Sequence, residues 1–236
     1  MVPELEMSFL VRSFEIDGRY RALPRTLTNY LQELAVQHAH DLGVARGQLD
    51  EGLTWMLSRL RIEMQGWPRW RDELTLRTWP SGLERLFALR DYEIGPGLGV
   101  ATSAWLVVDE RKRRPMRLPA YVQKLREVEP ERALVGFEPL PDLVAAEHER
   151  RFHVRWSECD MNGHANQSSY LDWAINALPG AFLDAHVPRT LEIEFRAEAY
   201  PDDAVLSRCG GGVHTLVREA DGVELARLRI GWEPDA

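Results

Sequence analysis

One pattern occurs twice along these 236 residues, and any fold for the chain must accommodate it. Leu27, Tyr30, Leu31, Leu34, Ala35 and His38 fall at helical spacing, and Tyr170, Leu171, Ala174, Ile175 and Leu178 do so again. Placing Tyr30-Leu31 on Tyr170-Leu171 superposes the two faces. The first helix meets a stop signal at Gly43, and the second is expected to end or kink before Pro179. A similar strand follows each: Leu60, Ile62 and Met64 alternate with polar residues, as do Leu191, Ile193 and Phe195. Asp72 and Asp203 come next at matching distances, each opening another β-like run. Arg85 to Ile94 with Thr102 to Asp109 reads as a hairpin, and Val213 to Glu219 with Glu224 to Trp232 as another, turned at Asp221-Gly222.

Each half therefore reads as one long helix followed by an antiparallel meander, an α+β arrangement. A helix with a single apolar stripe has to bury it, and a sheet can wrap it. That is the plan of a hotdog unit, and two in tandem predict a double hotdog that forms a pseudo-dimer within one chain. The expected boundaries are residues 1–126 for the first hotdog and 149–236 for the second. Residues 127–148, acidic and containing three prolines, form the linker.

Composition narrows the function. Hydrophobic residues at 44% and charged residues at 28% suit a globular protein with a full core. A net charge of −8 argues against a nucleic-acid binder, whose affinity needs basic surface. The two cysteines, Cys159 and Cys209, form neither a disulfide framework nor a Cys-x-x-Cys metal site, so a reducing cytoplasm and no metal are expected. The start of the chain lacks a signal-peptide pattern, and no apolar run is long enough to cross a bilayer, so no membrane association is expected.

The densest chemistry lies at Asp160, Asn162, His164 and Asn166, polar groups on alternate residues just before the second helix. An extended segment would turn the first three to one side. Asn166 or Ser168 is a plausible cap, and the helix N-terminus offers free amides and partial positive charge, suited to a carbonyl that becomes an oxyanion. The corresponding segment of the first half, Phe14 to Arg21, has no Asn or His at comparable places. The plainer roles are structural: Asp160 in a turn, Asn166 as a cap, Glu198 on a solvated strand, Tyr170 and Trp173 in helix packing.

With these residues the sequence resembles the plant and bacterial acyl-ACP thioesterases. The resemblance rests on Asp160-x-Asn162-x-His164-x-Asn166 followed by Tyr170 and Trp173. It also rests on the run from Arg85 through Arg90, Asp91 and Tyr92, on Ala101-Thr102-Ser103 with Trp105, on Arg113-Arg114 with Leu118-Pro119, and on Phe195-Arg196-x-Glu198. It spans about Phe14 to Trp232, and several ordered motifs are more specific than one. It implies a double hotdog that cleaves fatty acyl chains from acyl carrier protein in fatty acid biosynthesis. The first hotdog would bind the acyl chain and the second would carry the catalytic residues Asp160, Asn162, His164 and Glu198, with no cofactor. Plant members often place a Cys after the late Glu. Here that position is Ala199, so water is the expected nucleophile, and Cys159 is a poor substitute. Glu198 or Asp160 would be the base, Asn162 and the helix amides would polarise the carbonyl, and His164 would orient its neighbours or protonate the thiolate. Direct attack by Asp160 is the alternative.

Five basic residues, Arg111, Lys112, Arg113, Arg114 and Arg117, interrupt an acidic chain and suit docking of an acidic carrier protein, or simply a solvated turn. Trp55, Met56 and Trp105, with Asn166, are the expected substrate-binding residues; Trp67, Trp70 and Trp79 also fall in the first half. Two other functions fit the scaffold: a hotdog thioesterase acting on acyl-CoA or aryl-CoA, and a non-catalytic acyl-binding module. A dehydratase fits the motif order less well. Acyl chain length and oligomeric state are left open.

Overall fold

The computed structural model describes residues 3–124 and 132–235. It divides into two compact units, Met1–Ala22 with Asn29–Phe137 and Leu23–Thr28 with Glu138–Ala236. The segment 132–147 carries no helix or strand, and the rest of the expected linker, 127–131, lies outside the described residues.

Strand β1 (Leu5–Leu10) opens unit 1, and helix α1 (Pro24–Asp41) follows, its first turn falling in the Leu23–Thr28 segment grouped with the other unit. Strands β2 (Leu53–Met64), β3 (Glu73–Glu84) and β4 (Phe87–Ile94) follow, then the short turn α2 (Gly95–Leu98). Strands β5 (Gly99–Asp109) and β6 (Arg114–Met116) and the turn α3 (Ala120–Gln123) complete it. Pairing is antiparallel in the order β1-β3-β4-β5-β2, with β6 also on β5. The stripe Leu27, Tyr30, Leu31, Leu34, Ala35 and His38 is buried. Helix α1 stops as its sequence demands: Gly43 takes φ 72°, and the Gly43 and Val44 amides close back on His40 and Ala39 carbonyls at 3.0 and 2.9 Å, a Schellman end.

Unit 2 repeats the plan with β7 (His148–His153), a 3-10 turn at Trp156–Glu158, helices α4 (Gln167–Ile175) and α5 (Gly180–Ala185), and strands β8 (His186–Phe195), β9 (Ala204–Gly210), β10 (Val213–Arg218) and β11 (Glu224–Pro234). Its order, β7-β9-β10-β11-β8, is that of unit 1 strand for strand. The chain is thus α+β, a tandem of two hotdog units.

Two expectations need correction. The second long helix is two pieces of nine and six residues, because Pro179 forces its neighbour out of helical geometry and then caps α5. The two halves also align one helical turn away from the pairing of Tyr30 with Tyr170. The Tyr30 hydroxyl donates to Glu15, and the group that donates to the matching Glu158 is the Trp173 indole. A helix pattern repeats nearly every three or four residues, so a shift of one turn preserves the apolar stripe and is invisible in it. The edge strands β1 and β7, ahead of the helices, add to the expected plan: Leu5, Met7 and Phe9 of β1 alternate with Glu6 and Ser8 as in a half-buried strand, whereas β7 has only Phe152 as an apolar residue.

Candidate active site

The segment before α4 is not extended, as its alternating polar residues suggested, but a tight loop closed by a β-bridge between Cys159 and Ala165. The Asp160 amide donates to the His164 carbonyl at 3.0 Å and the Gly163 amide to the Asp160 carbonyl at 3.0 Å. Asp160 Oδ1 accepts the Asn162 amide at 2.8 Å, an Asx turn that fixes the carboxylate to its own backbone. Gly163, at φ 79°, takes the left-handed conformation that lets the loop reverse so sharply. Asp160 and His164 are half-buried and Asn162 is exposed.

Glu198 lies after β8, and the loop and this segment are tied together by the Ala165 amide donating to the Ala199 carbonyl at 2.8 Å. His164 Nε2 stands 3.6 Å from Glu198 Oε1. That is longer than a hydrogen bond. His164 Nδ1 faces the Ala165 carbonyl at 3.4 Å. The other Glu198 oxygen accepts the Tyr200 hydroxyl in a short hydrogen bond. The buried Tyr170 brackets Glu198: its hydroxyl donates to the Ala197 carbonyl at 3.1 Å and accepts the Ala199 amide at 2.8 Å. Burial pushes the Tyr170 phenol up, so it stays protonated as that donor. Arg218 Nη1 donates to the Glu198 carbonyl at 3.0 Å.

Tyr200 was missed by sequence reasoning, although Glu198-x-Tyr200 is the spacing that puts two side chains on one side of extended backbone. Tyr170 was read as a packing residue; it packs against Trp173 and Phe195 and also positions Glu198.

Asn166 caps α4: its side-chain oxygen accepts the Ser168 amide at 2.9 Å and its carbonyl the Ser169 amide at 2.9 Å. Two of the helix amides expected to polarise a carbonyl are therefore already occupied, and Ser168 and Ser169 are buried. The Asn162 carboxamide is the polarising candidate that the loop leaves exposed. Cys159 is a poor candidate nucleophile. Burial first, and then Asp160 and Glu158, push its thiol up and disfavour the thiolate.

The substrate-binding candidates of unit 1 do not form one wall. Trp55 joins the core cluster of Val44, Leu49, Val107, Leu118 and Val122, and its indole donates to the Val44 carbonyl at 2.7 Å. Trp105 follows Trp55's face of the sheet, since Trp55 pairs with Val107 and Leu57 with Trp105; its indole donates to Ser103 at 2.8 Å. Met56, between Trp55 and Leu57, faces the other way. Trp70 is partly exposed and stacks on Tyr20 at 6.0 Å. Trp79 lines a cavity of about 630 Å³ together with Glu63, Arg77, Glu93 and Arg132, a charged setting that suits no acyl chain and contains no candidate catalytic residue. Arg111, Lys112, Arg113, Arg114 and Arg117 are all exposed on and beside the β5–β6 turn, where Asp109 Oδ1 accepts the Arg111 and Lys112 amides at 3.0 and 2.8 Å.

Unit 1 contains a copy of the loop. The Asp17 amide donates to the Arg21 carbonyl at 2.8 Å and Tyr20 to the Asp17 carbonyl at 3.0 Å, and the Arg19 amide meets Asp17 Oδ1 at 2.8 Å. Ile16 bridges Ala22, whose amide donates to the Pro68 carbonyl at 2.8 Å. Arg19 and Arg21 stand where unit 2 has Asn162 and His164, and Trp67 stands where it has Glu198.

Two hotdog units of one topology, of which the second gathers carboxylates and an imidazole at a reversed loop, define a double-hotdog protein with its candidate site in the second unit. Residues 4–125 match the model of the acyl-ACP thioesterase N-terminal domain and residues 142–234 that of the C-terminal domain, and the chain belongs to this family. It is 29% identical to a chloroplastic palmitoyl-acyl carrier protein thioesterase of Gossypium hirsutum over 96% of this chain and 63% of that one. It is 27% identical to the chloroplastic oleoyl-acyl carrier protein thioesterase 2 of Arabidopsis thaliana over 84% of this chain and 60% of that one. The chain thus spans less than two thirds of the length of these curated relatives. In fold it is similar to an acyl-ACP thioesterase from Bacteroides thetaiotaomicron, at TM-score 0.86, 23% identity and 98% coverage of both chains. It is also similar to the 12:0-ACP thioesterase from Umbellularia californica, at TM-score 0.83 and 22% identity, covering 98% of this chain and 94% of that one. Among the described residues, no helix is long and apolar enough to cross a membrane.

Proposed function

We propose that the chain hydrolyses a fatty acyl thioester held on acyl carrier protein, releasing free fatty acid and the carrier thiol, with water activated by a carboxylate. The observation that carries this reading is the 3.6 Å approach of His164 Nε2 to Glu198 Oε1 beside the Asp160 loop. Glu198, held by Tyr200 and Tyr170, takes a proton from water as the water oxygen bonds to the thioester carbon. Asn162 steadies the carbonyl oxygen. The C–S bond then breaks, and His164 relays to the leaving sulfur the proton that Glu198 took from water. The roles follow from chemistry and placement together: Glu198 faces the imidazole, and Asp160 is engaged by its own turn on one oxygen.

The other oxygen of Asp160 makes no hydrogen bond among the described residues, which favours direct attack by Asp160 as the second reading. Isotope transfer separates them. After many turnovers in ¹⁸O-water, label is expected in the fatty acid and not in the peptide that carries Asp160; label on Asp160 overturns the water route. Glu198→Gln is expected to lower kcat by about 10²–10⁴-fold. Comparing matched acyl-ACP and acyl-CoA tests the carrier.

In unit 1, Trp55 and Trp105 are proposed to border the acyl chain on their shared face, a role that Met56 cannot share with them. A reducing compartment such as the cytoplasm accords with two free cysteines.

A further inference from the structure

The loop that carries Asp160 and His164 is flanked by two large apolar side chains left in solvent. Trp156 is 86% exposed and Met161 is 85% exposed. Trp156 is held there: it opens the 3-10 turn, and Glu158 fastens that turn by accepting the Arg155 amide at 2.7 Å and the Trp173 indole at 3.2 Å. The exposed Arg155 beside it pairs with no carboxylate among the described residues. The loop in unit 1 is an internal control. Its backbone closes in the same way, with the Arg12 amide donating to Glu15 at 2.8 Å, yet Ser13 stands in place of Trp156 and Gly18 in place of Met161. Arg12, in place of Arg155, is engaged, 4.0 Å from Glu15 and over the Phe14 ring at 5.8 Å. Unit 1's loop exposes Phe14 (73%) and Tyr20 (58%) at other positions, but the scaffold does not require a large apolar residue where Trp156 and Met161 stand. Those two, with Arg155, lie at the loop that gathers the candidate catalytic residues.

We propose that Arg155, Trp156 and Met161 form a landing surface for the acylated carrier protein. The proposal rests on the thioesterase reading, because the partner is identified by what must arrive there. A thioester that reaches Glu198 and His164 brings its carrier onto the surface beside them. Tryptophan, methionine and arginine are residues that concentrate binding energy at protein interfaces. An acidic carrier complements Arg155. A small thioester needs none of this surface.

The test compares the full chain with Trp156→Ala, Met161→Ala and Arg155→Glu on acyl-ACP and on the matching N-acetylcysteamine thioester. Exposed substitutions leave the fold intact, which melting curves verify. The expected result is a fall of about tenfold or more in the ratio of kcat/KM on acyl-ACP to kcat/KM on the small thioester. An unchanged ratio overturns the proposal. Light scattering that shows Trp156→Ala converting a dimer to a monomer also overturns it, by assigning the surface to a second copy of the chain. If the unaltered protein cleaves neither substrate, the thioesterase reading is what fails. The surface is then judged by calorimetric titration with acylated carrier protein, where wild-type binding lost in Trp156→Ala supports it and no wild-type binding rejects it.

Discussion

The loops before α1 and α4 share a backbone and differ in what their side chains do with it. In unit 1, Arg21 Nε reaches back 2.7 Å to Asp17 Oδ2, so the loop satisfies itself, and Arg21 is buried. In unit 2, the residue in Arg21's place is His164, whose imidazole faces Glu198 instead of closing on Asp160. One Arg-to-His difference leaves an oxygen of Asp160 available and gives Glu198 an imidazole neighbour. The fold supplies a loop with a half-buried aspartate, and the residue four positions later decides whether that aspartate is closed by a guanidinium or keeps one oxygen open.

Paired substitutions can break this comparison. Asp160→Ala is expected to lower hydrolysis by about 10²-fold, because Asp160 holds the turn that presents Asn162 and His164, with little change in melting temperature. Asp17→Ala leaves the largely buried Arg21 without its carboxylate and is expected to cost about 1–3 kcal/mol of stability, with turnover of the folded enzyme nearly unchanged. Chemical denaturation and rate assays on both variants check it. Equal loss of activity from the two substitutions would mean that the loops do not divide structure and chemistry as described.

Much of this contrast was legible in the sequence. The repeat of helix, strand and Asp72/Asp203 gave the tandem plan because periodicity and spacing are local. The missing Asn and His before α1 distinguished the first loop from the second. Backbone reversal was not legible: alternating Asp160, Asn162 and His164 look like an extended segment, and Gly163 is the lone signal that the chain turns back. Nor could the cap at Asn166, which takes helix amides away from the substrate, be separated from a ligand-binding role, since Asn serves both. Trp55 and Met56 look alike by composition, and only strand pairing shows that they face opposite sides.

Each unit also keeps one buried imidazole, and acid pH should sharpen the comparison. Burial, and then the cation Arg90 at 2.8 Å, hold His38 at about 4. Burial holds His214 at about 4 against a hydrogen bond with the Ala174 backbone, and its Nδ1 has no hydrogen-bond partner among the described residues. Both values lie below the ordinary 6.5, so the unfolded chain binds these protons first. Their contribution is whole above pH 6.5 and is lost as pH falls toward 4, on the order of 2–3 kcal/mol for each by pH 4.5. Asp172, pushed up to about 6 chiefly by burial, acts in the opposite sense and partly offsets the loss. Urea unfolding at pH 7 and pH 4.5 should therefore show a smaller acid loss in His38→Gln and in His214→Gln than in wild type. Identical losses in all three would remove these histidines as the cause.

A smaller effect tests how Glu198 is held. The Tyr170 hydroxyl joins the Ala197 carbonyl and the Ala199 amide, but unit 1 has Leu27 in place of Tyr170, and Pro68, without an amide hydrogen, in place of Ala199. The clamp is thus particular to unit 2, as expected if it serves Glu198 rather than the fold. Tyr170→Phe should lower kcat about tenfold with KM unchanged, and cost about 1–3 kcal/mol by orphaning the buried Ala199 amide. A loss of stability with kcat intact would make Tyr170 purely structural.

The least effect is expected where unit 1 offers charge without an apolar partner. Arg111, Lys112, Arg113, Arg114 and Arg117 are exposed, and the one carboxylate that organises their turn, Asp109, is occupied with its own backbone and with Lys112 Nζ at 3.5 Å. Such a cluster attracts an acidic carrier over distance but holds it weakly, because exposed charges are screened and no buried contact anchors them. Reversing Arg113 and Arg114 to Glu should raise KM for acyl-ACP by about threefold at low salt and leave kcat unchanged, and added salt should erase the difference from wild type. Trp156→Ala, by contrast, should keep its defect at high salt, since an apolar contact is not screened. If both defects vanish with salt, carrier recognition is electrostatic at both loops; if neither does, the basic turn contributes through contacts rather than through its field.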